Sequence, residues 1–330
     1  MRFGILGTAN IALHATIPAI AASDHEVTAI ASRDVERART AADDHGIAHS
    51  YGDYGALLDE APVDAVYVPL PNAHHAEWTL RALNAGHHVL CEKPLATDAD
   101  EAAALFDHAA DADRTLMEAV MYRFHPRTRR LREVVETELG EIRSAEATFT
   151  FALRDDPENV RLSAELAGGS RMDVGTYVVT AIRGVLGQPD RVHAHALDSR
   201  DCGVDTDLRA TLMYDDRDTH GTVRTSLDTP RHERLRVDAV DGWLEAPDCF
   251  YTGRDGETEI RYAVDDREVT ETFPPTNHYA EMVDAFAAAA ESGSEPPVTR
   301  QDSVDTARVL DALAESAATG ESVEVAEDHS

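Results

Sequence analysis

Residues 2–12 read Arg2-Phe3-Gly4-Ile5-Leu6-Gly7-Thr8-Ala9-Asn10-Ile11-Ala12. The run 2–6 reads as a short buried strand, and residues 11–22 read as a helix with Pro18 inside or near it. The small residues Gly7, Ala9 and Ala12 therefore fall on a strand-to-helix turn. In that context a G-x-A-x-x-A spacing is a variant of the glycine fingerprint of dinucleotide sites. Gly7 permits the tight turn, and Ala9 lets the backbone approach a pyrophosphate. Ala12 lets the helix pack closely on the strand, with the phosphates at the helix N-terminus. Thr8, Asn10 and Ile11 complete this first set of candidate cofactor-binding residues.

Beyond this turn, strand and helix signals alternate. Strands are expected at 26–31, 63–68, 88–91 and 115–119, and helices at 35–45, 76–85 and 99–111. Gly46 and Gly86 stop two of these helices, and 51–59 reads as a loop with a short helix. Such βαβ alternation predicts a parallel sheet with helices on both faces. After about Met121 the pattern changes. A helix over 122–137 leads into alternating segments at 143–153, 191–197, 207–214, 219–227, 235–239 and 257–264. These suit an antiparallel sheet with one face toward solvent or a partner. Helices at 279–290 and 302–317 follow, with no internal repeat or low-complexity linker. At 330 residues two cores are expected. The fold class is α/β: a doubly wound parallel-sheet domain over 1–120, then an α+β domain over 121–330 with a large open, mostly antiparallel sheet.

The second strand ends in Ser32-Arg33. A site specific for NAD would place an acid at this tip to hold the ribose hydroxyls. A serine and an arginine suit a 2′-phosphate instead. Asp34 follows one residue too late, so NADP is favoured, with NAD possible. In the alternative reading, Arg33 only caps the strand or stacks on adenine in either cofactor. The fourth strand runs into Cys91-Glu92-Lys93-Pro94, which puts Lys93 at a carboxyl end of the sheet, where α/β ligands bind.

Lys93 is the only lysine among 30 Lys and Arg residues, so the other 29 are Arg. Arginine cannot supply a compact charge that readily gives up a proton, and lysine can. The single retained lysine thus points to chemistry that needs an amine. Acidic residues number 62, for a formal charge of −32 spread along the chain. That field repels nucleic acid and anionic membrane and excludes nucleic-acid binding as a function. An acidic, lysine-poor chain fits adaptation to high salt, where screening weakens the repulsion; a GC-rich genome would also replace Lys by Arg. Three scattered cysteines make neither a disulfide framework nor a zinc site. With no signal-like or membrane-length apolar run, a reducing cytoplasm is expected.

Further motifs carry a resemblance. They are the fingerprint turn, Leu70-Pro71-Asn72 with His75, Glu92-Lys93-Pro94, Met121-Tyr122-Arg123-Phe124-His125-Pro126, Gly168-Gly169-Ser170-Arg171-Met172-Asp173-Val174-Gly175-Thr176-Tyr177, and Asn277-His278-Tyr279. Together they resemble the glucose-fructose oxidoreductase, inositol dehydrogenase and rhizopine-catabolism (Gfo/Idh/MocA) oxidoreductases. The resemblance implies a catalytic set of Lys93, Asp173 and Tyr177. It also implies cofactor contacts from Leu70, Pro71, Asn72, His75, Glu92 and Lys93. Many relatives carry His where this chain has Tyr177. The Tyr form looks like the branch with glucose-fructose oxidoreductase, NADP-dependent D-xylose dehydrogenases and dihydrodiol dehydrogenases, and makes an inositol dehydrogenase doubtful.

The chemistry is coherent from the residues up. Asp173 and Tyr177 are four apart and share a helix face. Oxidising an alcohol needs a base, and a nearby ammonium favours the phenolate of a tyrosine that titrates near 10 when free. Substrate contacts are expected from Lys93, Asp173 and Tyr177, while Arg123 and Asn159 flank the resembling segments and either contact substrate hydroxyls or have a solvated or structural role. The pairs His74-His75 and His87-His88 lack the supporting ligands of a metal site, and no metal is expected. What the resemblance implies is an NADP-dependent sugar dehydrogenase oxidising an aldose such as D-xylose at the anomeric hydroxyl to the lactone. A dihydrodiol dehydrogenase or a keto-sugar reductase is the alternative enzyme. A non-catalytic NADP-binding sensor or scaffold is the alternative from another class. The family often covers its open sheet by dimerising, so a homodimer or homotetramer through that face is expected.

Overall fold

The structure is a computed structural model and describes residues 1–154, 156–251 and 256–326. It divides into two compact units, residues 1–121 with 277–303, and residues 122–276 with 304–330.

The first unit is built on a six-stranded parallel sheet in the order β3-β2-β1-β4-β5-β6. Its strands are β1 (Arg2–Leu6), β2 (Glu26–Ala31), β3 (His49–Tyr51), β4 (Ala65–Val68), β5 (His88–Glu92) and β6 (Leu116–Ala119). Between them run α1 (Ile17–Ala21), α2 (Val35–His45), α3 (Tyr54–Glu60), α4 (His75–Asn84) and α5 (Ala99–Asp111). The apolar runs of β1 and β4 are buried on both faces, as a parallel sheet covered by helices requires. The chain winds outward in both directions from β1, so the crevice of this fold opens where β1 and β4 end. All the strands point the same way. Gly7, Ser32, Leu70 and Lys93 therefore follow carboxyl ends along one edge of the sheet.

Two details shape that edge. The first helix opens at Asn10 and winds as a π-turn over Ala12–Thr16 before continuing as α1, with Pro18 in its first turn. Asp34 caps α2, its carboxylate accepting the Glu36 and Arg37 N–H groups at 3.0 and 3.3 Å. A linear cut at residue 120 omits α8 (His278–Ser292), which belongs to this unit and sets Phe286 against Phe3, ring centres 6.1 Å apart.

The second unit holds α6 (Pro126–Thr137), α7 (Thr176–Leu186), most of α9 (Arg300–Thr319) and a nine-stranded sheet. Its strands are β7 (Ile142–Thr150), β8 (Arg191–Leu197), β9 (Asp207–Tyr214), β10 (Thr219–Ser226), β11 (His232–Ala239), β12 (Gly242–Pro247), β13 (Thr258–Val264), β14 (Arg267–Phe273) and β15 (Val323–Glu324). The order is β14-β13-β12-β11-β7-β10-β9-β8-β15, and only the β7–β10 pairing is parallel. Helix α7 lies over β7 and β10. On β9 buried and more exposed residues alternate, which leaves the other face open. The architecture is that expected from the sequence, with β3, β12, β14 and β15 in addition. Among the described residues no helix is long and apolar enough to cross a membrane.

Candidate active site

In the first unit the fingerprint turn is built as its sequence requires. Gly7 has φ +120°, a conformation that disfavours any side chain, and its N–H donates to the Ala31 carbonyl at 2.8 Å. A Cβ at Gly7 would stand 3.1 Å from Leu70 Cδ2, so the turns after β1 and β4 approach closely across the crevice. The helix that follows opens at exposed Asn10, and its first amides have no intrahelical acceptor. At the tip of β2, Ser32 is buried and its hydroxyl accepts the Asp34 N–H at 3.2 Å. Arg33 beside it is exposed. Asp34 is committed to capping α2, which leaves Ser32 and Arg33 as the groups offered at the tip. These features fit a dinucleotide phosphate at the turn and a 2′-phosphate at the end of β2.

Lys93 is half-buried in a loop that is pinned on both sides. On one side, the Thr16 hydroxyl donates to Tyr67 Oη at 3.0 Å and Tyr67 Oη donates to Glu92 Oε1 at 2.6 Å. The π-turn ends at Thr16, where the side chain meets Tyr67. Burial, and then the Glu92 charge, push the Tyr67 phenol well above its ordinary value, so it serves as a donor and not as a base. On the other side, Glu118 Oε1 accepts the Leu95 N–H at 2.9 Å. His75 lies between two loops, its ring nitrogens 2.7 Å from the carbonyls of Pro94 and Leu70. Burial pushes this imidazole down to about 4, against the two carbonyls, which favour the cation. His75 thus ties the Leu70-Pro71-Asn72 turn to the Lys93-Pro94 loop. With both nitrogens on main-chain oxygens and 1% of the residue exposed, it offers no polar atom to a cofactor, contrary to the contact expected of it.

In the second unit Asp173 lies within a second π-turn, Arg171–Gly175, that runs directly into α7 and Tyr177. Such turns insert one extra residue and recur at functional sites. Asp205 anchors the start of this turn, accepting from Ser170 Oγ at 2.6 Å and from the Arg171 N–H at 2.7 Å. Tyr177 is buried among aromatic rings, with centres 5.3 Å from Phe149, 5.7 Å from Phe250 and 6.0 Å from Tyr122. Arg161, which the sequence reading did not single out, donates from Nε to Asp173 Oδ2 at 2.6 Å. Asp173 and Tyr177 therefore share one region of the second unit, as their spacing predicts.

The amide of Asn159 is engaged within its own loop. Its Oδ1 accepts the Arg161 N–H at 3.1 Å and its Nδ2 donates to Asp156 at 2.8 Å, so both ends of the amide hold the turn over Val160–Leu162. Arg123 is half-exposed in the short turn before α6. His87 donates from Nε2 to the Leu58 carbonyl at 2.9 Å, and His88 Nδ1 accepts the Thr115 N–H at 3.0 Å. Burial raises the Cys91 and Cys249 thiols, which makes both poor nucleophiles. Among the described residues no three His, Cys, Asp or Glu side chains are grouped to hold a metal ion.

Comparison with known proteins places the chain in a family. Residues 1–120 match the model of an oxidoreductase family with an NAD-binding Rossmann fold, and residues 128–245 match the Gfo/Idh/MocA C-terminal domain. The chain is 52% identical to an NADP-dependent D-xylose 1-dehydrogenase of Haloferax volcanii, over 98% of this chain and 100% of the relative. It is 31% identical, over 74% of each chain, to a trans-1,2-dihydrobenzene-1,2-diol dehydrogenase of Macaca fascicularis. A crystal structure of a 3-ketoreductase from Actinomadura kijaniata, solved with NADP and TDP-benzene, superposes with a TM-score of 0.91. It is 33% identical in sequence, over 96% of this chain and 97% of that one. The chain belongs to the Gfo/Idh/MocA family of oxidoreductases.

Proposed function

We propose that the protein is an NADP-dependent aldose dehydrogenase that oxidises D-xylose at its anomeric hydroxyl to the lactone. The observation that carries this reading is the near full-length, 52% identity to a haloarchaeal enzyme of that activity. The Ser32-Arg33 tip, with Asp34 withdrawn into a helix cap, supports NADP. Residues 1–120 hold the cofactor through Gly7, Thr8, Ala9, Asn10, Ile11, Ser32, Arg33, Leu70, Pro71, Asn72, Glu92 and Lys93. The second unit, residues 122–276 with 304–330, supplies the substrate and oligomerisation domain.

Bound NADP would supply the hydride acceptor for the carbinol carbon. The rest falls to side chains of this chain. Lys93 hydrogen-bonds the reacting oxygen, and its ammonium favours the phenolate of Tyr177, which takes the hydroxyl proton. Asp173 orients the reacting hydroxyl, and Arg123 is a further sugar contact. A lysine loop fixed by Tyr67, Glu118 and His75 has no purpose in a passive NADP sensor, which weighs against that reading.

The open sheet face favours a second copy of the chain as its cover. Across β8, β9 and β10 the residues His195, Arg209 and Arg224 stand directly opposite one another. The guanidinium groups of Arg209 and Arg224 repel in such register, and Arg224 Nε has no hydrogen-bond partner among the described residues. Carboxylates of a second subunit would relieve that row. A cytoplasmic location completes the proposal.

The likeness to a 3-ketoreductase supports a second reading, reduction of a keto-sugar. A substrate panel tests both. Purified protein in molar KCl is given aldoses, a dihydrodiol or a keto-sugar with NADP or NAD in the matching redox form. The proposal predicts NADP reduction with D-xylose; activity confined to the diol or keto-sugar would refute it.

A further inference from the structure

The pairing of Arg161 with Asp173 is not explained by the roles assigned so far. The two belong to different segments, a loop turn and the π-turn before α7, and the chain brings them together by deliberate local construction. Asn159 caps the Arg161 turn. The Arg161 carbonyl accepts the Gly169 N–H at 2.8 Å. A Cβ at Gly168 would lie 2.5 Å from that same carbonyl oxygen, and one at Gly169, whose φ is +103°, would lie 2.5 Å from Asp205 Oδ1. The Gly168-Gly169 pair is thus what lets the Arg161 turn lie against the start of the Asp173 segment.

The result is a 2.6 Å charge-assisted hydrogen bond to Asp173 Oδ2. The arginine side chain retains 40% exposure while that of the aspartate retains 12%. Asp173, and then its hydrogen bond, raise the proton affinity of the guanidinium against burial, and Tyr177 adds to this. The arginine therefore feels the charge state of both groups. Arg161 also stands over the Phe151 ring, 5.8 Å from its centre.

We infer that Arg161 is a positioning residue for the reaction: it fixes one carboxylate oxygen of Asp173 and keeps that group ionised to accept the substrate hydroxyl. The inference rests on the dehydrogenase reading above and adds a fourth member to the set of Lys93, Asp173 and Tyr177.

The test compares wild type with Arg161→Met and Arg161→Lys. D-xylose oxidation with NADP is followed across pH in molar KCl, together with thermal unfolding and NADP affinity by tryptophan fluorescence. Removing the guanidinium removes a charge that favours the anions of both Asp173 and Tyr177, so the acid-side limb of kcat/KM should move up by about one pH unit or more. At neutral pH kcat/KM should fall about 10- to 100-fold, the scale of a misplaced reacting group. NADP affinity should be unchanged. Arg161→Lys should restore the acid limb and most of the rate. A limb that stays in place, with rate and melting temperature either unchanged or lowered together, would overturn the inference, since a merely structural role has that signature. Carboxyl-carbon NMR of Asp173, assigned by difference from Asp173→Asn, reads the same shift without turnover. A wild type inactive on every aldose would sink the dehydrogenase reading, while an Asp173 titration insensitive to Arg161→Met would sink this one.

Discussion

At the tip of β2 the exposed Arg33 follows a serine whose hydroxyl is set by the Asp34 N–H. A guanidinium there can pair with a 2′-phosphate but gains nothing comparable from a 2′-hydroxyl. Arg33→Ala should therefore raise the KM for NADP by about tenfold or more, the scale of one charged hydrogen bond, and leave that for NAD nearly unchanged. Steady-state kinetics with both cofactors checks this, and equal effects would reassign Arg33 to adenine stacking. Other residues show how far sequence alone could reach. Lys93 stood out because one lysine among 29 arginines is a chemical choice. Arg161 was hidden for the converse reason: one arginine among so many carries no signal until its carboxylate partner is seen. Tyr67, Glu118 and Thr16 lie inside segments that read as core, and their hydrogen bonds join partners 25, 23 and 51 residues away. Asn159 stayed open between two roles because a turn-capping amide and a substrate-binding amide look alike in sequence.

At the scale of elements, the strands that sequence revealed are those whose burial is regular. The runs of β1, β2 and β4 and the alternation of β8, β9 and β10 are read directly from hydropathy. The strands it missed have weak or irregular patterns. β14 reads Arg-Glu-Val-Thr-Glu-Thr-Phe and lies at the sheet edge, where little of it is buried. β3 and β15 have three and two residues, too short for any period. The two π-turns are also invisible in composition, because their extra residue depends on what each helix packs against. Thr16 and Asp173 nonetheless both sit in these turns. The shared face of Asp173 and Tyr177 was legible because a spacing of four tolerates either helical winding.

For the molecule as a whole, the −32 charge is the dominant fact. Many carboxylates are paired with arginine, as in Arg2–Asp64, Arg130–Glu271 and Arg191–Asp215. With 62 acids against 30 bases, more than half must still go without a basic partner of their own if each base serves one acid. Salt screens what remains, with a Debye length falling from about 30 Å at 0.01 M to about 3 Å at 1 M. The melting temperature should rise markedly between dilute buffer and molar KCl; a salt-independent melt would leave codon usage to explain the missing lysines. The central claim is that the one lysine in this acidic, arginine-rich chain takes part in the chemistry and is not just a counter-charge. Turnover and NADP binding of Lys93→Arg, measured side by side in molar KCl, test it most directly. An arginine keeps the charge but is forked, bulkier and never gives up its proton. The account predicts a loss of about 100-fold or more in kcat with D-xylose, with NADP affinity reduced far less. Near-normal turnover in Lys93→Arg would contradict it, however tightly the cofactor bound.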